Sequence, residues 1–168
     1  MKYFAYGSNM PLARLRQRVP NARILLSGML AQHDLRFHKR SHDGSAKCDA
    51  FFTGQDSDRI WGILFEIDSK ELPGLRKAEG LGRGYEEKTV DIFDRDGRQH
   101  SAMTYYADQD YITQQLKPYD WYKNHVLTGA HQGLLPDDYI ARISVVACIS
   151  DPDKTRANLE FSVHLPVS

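Results

Sequence analysis

Tyr85-Glu86-Glu87-Lys88-Thr89-Val90-Asp91-Ile92-Phe93, then Asp94-Arg95-Asp96-Gly97, then Gln99 to Tyr106, is the stretch that decides the fold class. Apolar and charged side chains interleave before the turn, and a second run of similar character follows it, which is the pattern of an antiparallel hairpin. Upstream, Ala50 to Thr53 and the nearly continuous apolar run Ile60 to Ile67 flank Gly54-Gln55-Asp56-Ser57-Asp58, and the spacing predicts a second hairpin. Ile60-Trp61-Gly62-Ile63-Leu64-Phe65 should be buried on both faces. Strands arriving in hairpins, rather than alternating with helices, give an α+β protein with a small mixed, curved or barrel-like sheet, not a doubly wound parallel one.

Short strands are also expected at Tyr3 to Ala5, Arg23 to Leu30 and Asp34 to His38, with Lys39 to Lys47 as an exposed polar loop. Leu12, Leu15 and Val19 recur at helical spacing after Pro11, with Asn9 as N-cap and Arg14, Arg16 and Arg18 facing outward. A helix capped by Asp68 or Ser69 carries Leu72, Leu75 and Ala78 on one stripe and should stop near Gly80. Asp120 to Ala130 and Pro136 to Ile149 read as helices, with Gly129 and Gly133 suited to helix ends. Residues 1–149 are expected to form one domain. Residues 150–168 make a polar tail that wraps that domain or stays partly disordered.

The 168 residues suffice for a single substantial core. Lys plus Arg and Asp plus Glu number 22 each, so no global field draws in nucleic acid or an anionic membrane. No apolar run approaches the roughly 18 residues of a membrane span. Met1-Lys2 leads straight into a strand without the pattern of a secretory signal, which points to the cytoplasm. Cys48 and Cys148 lack ligand spacing and read as reduced thiols. Oligomeric state is not legible.

The start of the chain holds the strongest local feature. Tyr3-Phe4-Ala5 runs into Tyr6-Gly7-Ser8-Asn9 before a helix, and such a turn leaves backbone N–H groups free for an anion or a developing oxyanion. A bare strand-to-helix connection explains the turn equally well. It lacks the Gly-Lys-Ser/Thr ending of a phosphate loop, and Ser8 lacks the flanking glycines of a nucleophile elbow. Ser8 is therefore a hydrogen-bonding wall rather than a nucleophile.

In order along the chain stand Tyr6-Gly7-Ser8-Asn9, Trp61-Gly62, Glu79-Gly80, Tyr85, Tyr122-Lys123 and Gly133-Leu134-Leu135-Pro136. Over about Lys2 to Val146 this order resembles the γ-glutamylcyclotransferase family. The resemblance implies a small mixed β-barrel with packed helices, and release of 5-oxoproline from γ-glutamyl amides by intramolecular cyclisation without metal or organic cofactor. It further implies that Glu79 is the catalytic acid/base. The same resemblance makes Tyr6, Gly7, Ser8 and Asn9 line the substrate pocket together with Tyr85, Tyr105 and Tyr122. One residue fewer lies between Glu79 and Tyr85 than in those relatives, and the tail after Ile149 has no counterpart.

Chemistry makes sense of these residues. Ring closure replaces an external nucleophile by the substrate's own α-amine, and well-oriented intramolecular reactions reach effective molarities of ~10⁵–10⁸ M. That amine, with a pKa of about 8, is mostly protonated near neutrality. Glu79 can take its proton and later pass one to the departing amine. A helix C-terminus and apolar neighbours would disfavour the charged carboxylate, as such a role requires. The Gly7 and Ser8 amides can face either the oxyanion or the substrate carboxylate. Rival readings are a non-catalytic module binding a small carboxylate, and an amide hydrolase using Glu79 to activate water.

His33, His38, His42, His125 and His131 fit no metal-ligand spacing. Asp94-Arg95-Asp96-Gly97 opens like a calcium loop, but its twelfth position is Tyr105 rather than Glu.

Overall fold

A computed structural model describes residues 1–165. Along the chain come β1 (Lys2–Ala5), α1 (Leu12–Arg16), β2 (Arg23–Ala31), β3 (His33–Arg40), β4 (Ala46–Phe52), β5 (Arg59–Glu66) and α2 (Leu72–Glu79). Then follow β6 (Tyr85–Phe93), β7 (Gln99–Ala107), α3 (Asp120–Gln132), α4 (Asp137–Ser144) and α5 (Lys154–Ser162). Five strands close a barrel in the order β1-β5-β2-β6-β7, while β3 and β4 pair as a separate two-stranded sheet. This is the α+β architecture with a small barrel-like sheet that the hairpin pattern implies. Among the described residues no helix is long and apolar enough to cross a membrane.

The β6–β7 hairpin forms as read, in unbroken antiparallel register from Tyr85↔Ala107 to Phe93↔Gln99. The hairpin expected around residues 54–58 does not. β5 pairs instead with β1 and β2, and β4 folds back on β3, with Leu35 opposite Ala50 and Ala31 opposite Arg59. Residues 23–66 thus make one long hairpin whose tip lies at 41–45 and which splits at Gln32. The Gln32 carbonyl accepts from the Thr53 and Gly54 amides, and its own amide donates to the Asp58 carbonyl at 2.8 Å. The 54–58 segment is an excursion pinned to one residue, because Gln32 at φ 60 turns the strand and leaves the partner chain with extra length. β5 carries the fully buried Ile60, Ile63, Leu64 and Phe65 through the core, in accord with its apolar run.

Three helix boundaries also differ. Pro11 rather than Asn9 stands at the N-cap of α1 and the helix has only five residues, since the Asn9 side chain is engaged elsewhere. α4 stops at Ser144 instead of running to Ile149, and Lys123 Nζ donates to the carbonyls of Ser144 at 3.1 Å and Val146 at 3.0 Å, satisfying the open helix end. Gly129 lies inside α3 rather than at its end. A Cβ there would lie 2.2 Å from Met10 Cβ, so the missing side chain is what lets α3 press against the first turn.

The last segment is anchored. Asp151, almost fully buried, accepts from Trp121 Nε1 at 2.7 Å and from Arg156 Nε and Nη2 at 2.6 Å each, and Asp153 caps α5 through the Arg156 amide. These bonds hold residues 151–162 to α3. Of the tail read as 150–168, residues 166–168 lie outside the described residues.

Candidate active site

Each element delivers one part of the site. β1 leads into the Tyr6 to Asn9 turn, α2 ends on Glu79, β6 opens with Tyr85, β7 contributes Tyr105, and α3 contributes Tyr122. α2 ends where it does because Gly80 adopts a left-handed conformation, φ 68, as the helix C-cap. All eight residues singled out from the sequence line one cleft with an empty volume of about 290 Å³, joined there by Tyr3 and Cys48.

Glu79 and the first turn are bonded together. Asn9 Nδ2 donates to Glu79 Oε1 at 2.7 Å and to the Tyr3 hydroxyl at 3.0 Å, while its Oδ1 accepts from Arg18. Arg18 Nη1 also pairs with Glu79 Oε1 at 3.0 Å. Arg18 therefore turns inward, and so does the buried Arg14, against the outward placement expected for both. Two donors, Asn9 Nδ2 and Arg18 Nη1, thus converge on Glu79 Oε1. Glu79 Oε2 takes no hydrogen bond from the described residues, which leaves one oxygen fixed and the other open to the cleft. The link from Asn9, expected as an N-cap and pocket wall, to Glu79 spans 70 positions and has no local signal in the sequence.

The tyrosines split into two kinds. Tyr6 donates to the Tyr105 carbonyl at 2.7 Å, Tyr85 donates to the Cys48 carbonyl at 2.5 Å, and Tyr122 accepts from the Cys48 amide at 3.0 Å. Burial pushes all three phenols well above their ordinary range, so they act as neutral groups that fix the walls. Tyr105 differs: its hydroxyl is buried and has no hydrogen-bond partner among the described residues. Its ring packs edge-on against Tyr3 at 5.9 Å. Burial pushes the Cys48 thiol up to about 12, so it stays protonated and is a wall rather than a nucleophile.

The amides of Gly7, Ser8 and Asn9 donate to no acceptor among the described residues, whereas Met10 N closes the turn on the Gly7 carbonyl at 3.1 Å. Three neighbouring donors without a protein acceptor, on residues that line the same cleft as the Glu79 carboxylate, suit a ligand that both accepts hydrogen bonds and gives up a proton.

Beyond this cleft, sharing Ser8, Glu79, Tyr85 and Tyr122 with it, opens a vestibule of about 990 Å³ of empty volume. The Lys39 to Lys47 segment, expected as an exposed loop, supplies its wall: Lys39 and Lys47 lie in β3 and β4 and are only 5% and 9% exposed. Sequence reasoning also missed Asp49. This buried carboxylate accepts from the Ala107 amide at 2.7 Å and meets His38 Nε2 at 2.8 Å, tying the β3–β4 pair to β7 and so setting the vestibule against the barrel. An alternating strand pattern would have flagged it as an acidic side chain on a buried face.

A closed five-stranded barrel with packed helices is the γ-glutamylcyclotransferase-like fold. A solved γ-glutamyl cyclotransferase superposes with a TM-score of 0.81 at 21% identity, covering 95% of this chain and 97% of that one. The chain belongs to the AIG2-like family, whose model matches residues 59–143. It is 24% identical over 152 residues to the γ-glutamylcyclotransferase of Mus musculus and 26% identical over 149 residues to that of Bos taurus, in each case covering 86% of this chain and 77% of the relative.

Proposed function

We propose that this protein is a γ-glutamylcyclotransferase that folds a γ-glutamyl amide back on itself and releases 5-oxoproline and an amine. The observation that carries the reading is the Asn9 bridge, which ties Glu79 Oε1 to the first turn and leaves Oε2 free within the same cleft. In this reading Glu79 Oε2 takes a proton from the substrate ammonium. The freed amine attacks the γ-carbonyl carbon, its electron pair forming the C–N bond of the five-membered ring. The carbonyl oxygen becomes an oxyanion facing the Gly7 and Ser8 amides, which are fixed by the turn and need no reorganisation. Collapse breaks the original amide bond as the proton on Glu79 goes to the departing nitrogen, and the ring nitrogen gives its second proton back to the Glu79 carboxylate, which passes it to the released amine. The free Tyr105 hydroxyl bonds the glutamyl part, while Tyr6, Tyr85 and Tyr122 hold its walls. Arg18 and Asn9 keep Glu79 oriented. Cyclisation requires no cofactor, because nucleophile and electrophile are in one molecule.

The test is a panel of γ-glutamyl substrates assayed for 5-oxoproline with the natural protein and with Glu79→Gln. Formation of 5-oxoproline by the natural protein, reduced at least roughly 10²-fold by the substitution, is the expected result. Release of free glutamate instead would mean hydrolysis, and tight binding without turnover of any member would mean a binding module.

A further inference from the structure

Lys39 and Lys47 stand directly opposite each other in the β3–β4 ladder, and both line the vestibule. Like charges in facing positions of a strand pair repel, and burial adds a desolvation cost. Lys47 is answered by Asp43, whose carboxylate lies 2.6 Å from its Nζ. Lys39 has no such direct partner: it makes no ion pair and its Nζ donates no hydrogen bond among the described residues, resting 4.5 Å over the ring of Tyr85 and feeling Glu79 and Asp43 only through their fields. Its stem fits against Gly84, where a Cβ would come within 2.7 Å of Lys39 Cε. Burial pulls its pKa down, opposed by the field of Glu79.

The rest of the vestibule shares this imbalance. Among its cations, Arg14 is paired with Glu160, Arg18 with Glu79 and Lys47 with Asp43, which leaves Lys39, Lys77 and Arg83 without an acidic partner among the described residues. The vestibule meets the inner cleft at Ser8, Glu79, Tyr85 and Tyr122, so it adjoins the carboxyl that would pass its proton to the departing half of a γ-glutamyl amide.

Resting on the cyclotransferase reading, we propose that Lys39 is a specificity residue for the departing half, and that this half carries more than one negative charge. Two sources supply that chemistry, an acidic amino acid or a phosphorylated amine. A single carboxylate would meet Lys39 alone. A second anionic group reaches the exposed Lys77 and Arg83 at the rim.

The test compares γ-glutamyl-L-glutamate, γ-glutamyl-phosphoethanolamine, γ-glutamyl-L-alanine and γ-glutamyl-n-butylamine. Binding is read by calorimetry on the Glu79→Gln protein, with and without Lys39→Met, and turnover is read as 5-oxoproline with Glu79 present. The multiply anionic compounds are expected to bind at least 10-fold tighter than the butylamine compound, with the glutamate and phosphate arms telling the two sources apart. Lys39→Met should erase that preference while leaving the butylamine compound within about 2-fold. Equal binding of all four, or an equal loss for all four in Lys39→Met, overturns the proposal. Should Lys39→Met fold poorly, the exposed pair Lys77→Gln/Arg83→Gln decides in its place, through a loss of several-fold confined to the multiply charged ligands. A binding preference without any 5-oxoproline would refute cyclisation and keep the anion site; cyclisation without preference would do the reverse.

Discussion

The inner cleft and the outer vestibule meet at the same four residues yet are built on opposite principles. The cleft is walled by neutral tyrosine hydroxyls and backbone amides around a single carboxylate, and four of its five tyrosine hydroxyls are already bonded to the protein's own groups. The vestibule is walled by cations, half of them already neutralised by Glu79, Asp43 and Glu160. Neutral, pre-bonded walls suit a site where geometry must not change as charge develops. Unbalanced cations suit a region that attracts and sorts ligands before the chemistry.

That contrast can be broken by substitution. The largest effect is expected from Glu79→Gln, a fall in turnover of at least roughly 10²-fold, with a somewhat lower melting temperature because the glutamine keeps the Asn9 bond but loses the ion pair with Arg18. Gly129→Ala should come next, destabilising the protein by about 1–3 kcal/mol or more in a thermal melt because the added methyl displaces Met10 and with it the first turn. Tyr105→Phe should lower kcat/KM roughly 10-fold while leaving the unliganded protein as stable or more so, because its hydroxyl has no partner to lose. A loss of stability in that variant would show the hydroxyl to be structural.

Two smaller effects concern the vestibule. Raising ionic strength should increase KM for multiply anionic substrates by several-fold and leave that for γ-glutamyl-n-butylamine nearly flat, since screening acts on the outer cations and not on the enclosed cleft. At its back, His125 Nε2 lies 2.8 Å from Arg14 and 2.9 Å from Glu160, joining α1, α3 and α5. Burial lowers His125 to about 4, and Glu160 sits at about 2 because His125 and Arg14 outweigh its own burial. Both groups bind protons less readily when folded, so their contribution is complete above pH about 6.5 and is lost on acidification. His125 gives its share up as the pH falls towards about 4, and Glu160 between about 4.5 and 2. Melting temperatures from pH 7 to 3 should fall accordingly. Glu160→Gln should flatten the lower part of that slope and lower stability at pH 7 by about 1–3 kcal/mol, less than for a fully buried pair because Glu160 is partly exposed.

Much of the cleft was readable because its parts carry local signatures. A small-residue turn after a strand, a Glu-Gly helix end and a tyrosine opening a strand each leave a mark within a few positions. The β6–β7 hairpin was readable for the same reason, its turn chemistry lying between its strands. The β4–β5 connection misled because residues 54–58 have turn composition, yet a single residue 21 positions earlier, Gln32, binds both ends of the excursion. The vestibule was hidden because a run of lysine, arginine, serine and histidine looks solvated whichever way it faces. Lys39 and Lys47 are buried on a strand pair that Asp49 anchors to β7, a contact 58 positions away.

The order of turn residues, apolar runs and helix ends along the chain determined by itself that the protein is α+β with hairpin-built strands, and the family resemblance that this order carries implied which residues would gather in the cleft. Tertiary structure alone decided what those residues do to one another: that Asn9 holds Glu79, that Arg14 and Arg18 point inward, and that Lys39 is buried without a partner. The physical reason is distance along the chain. Backbone preferences act over a few neighbours, whereas the charge and hydrogen-bond partners of a buried side chain come from segments tens of residues away, and no local pattern encodes which of them will arrive.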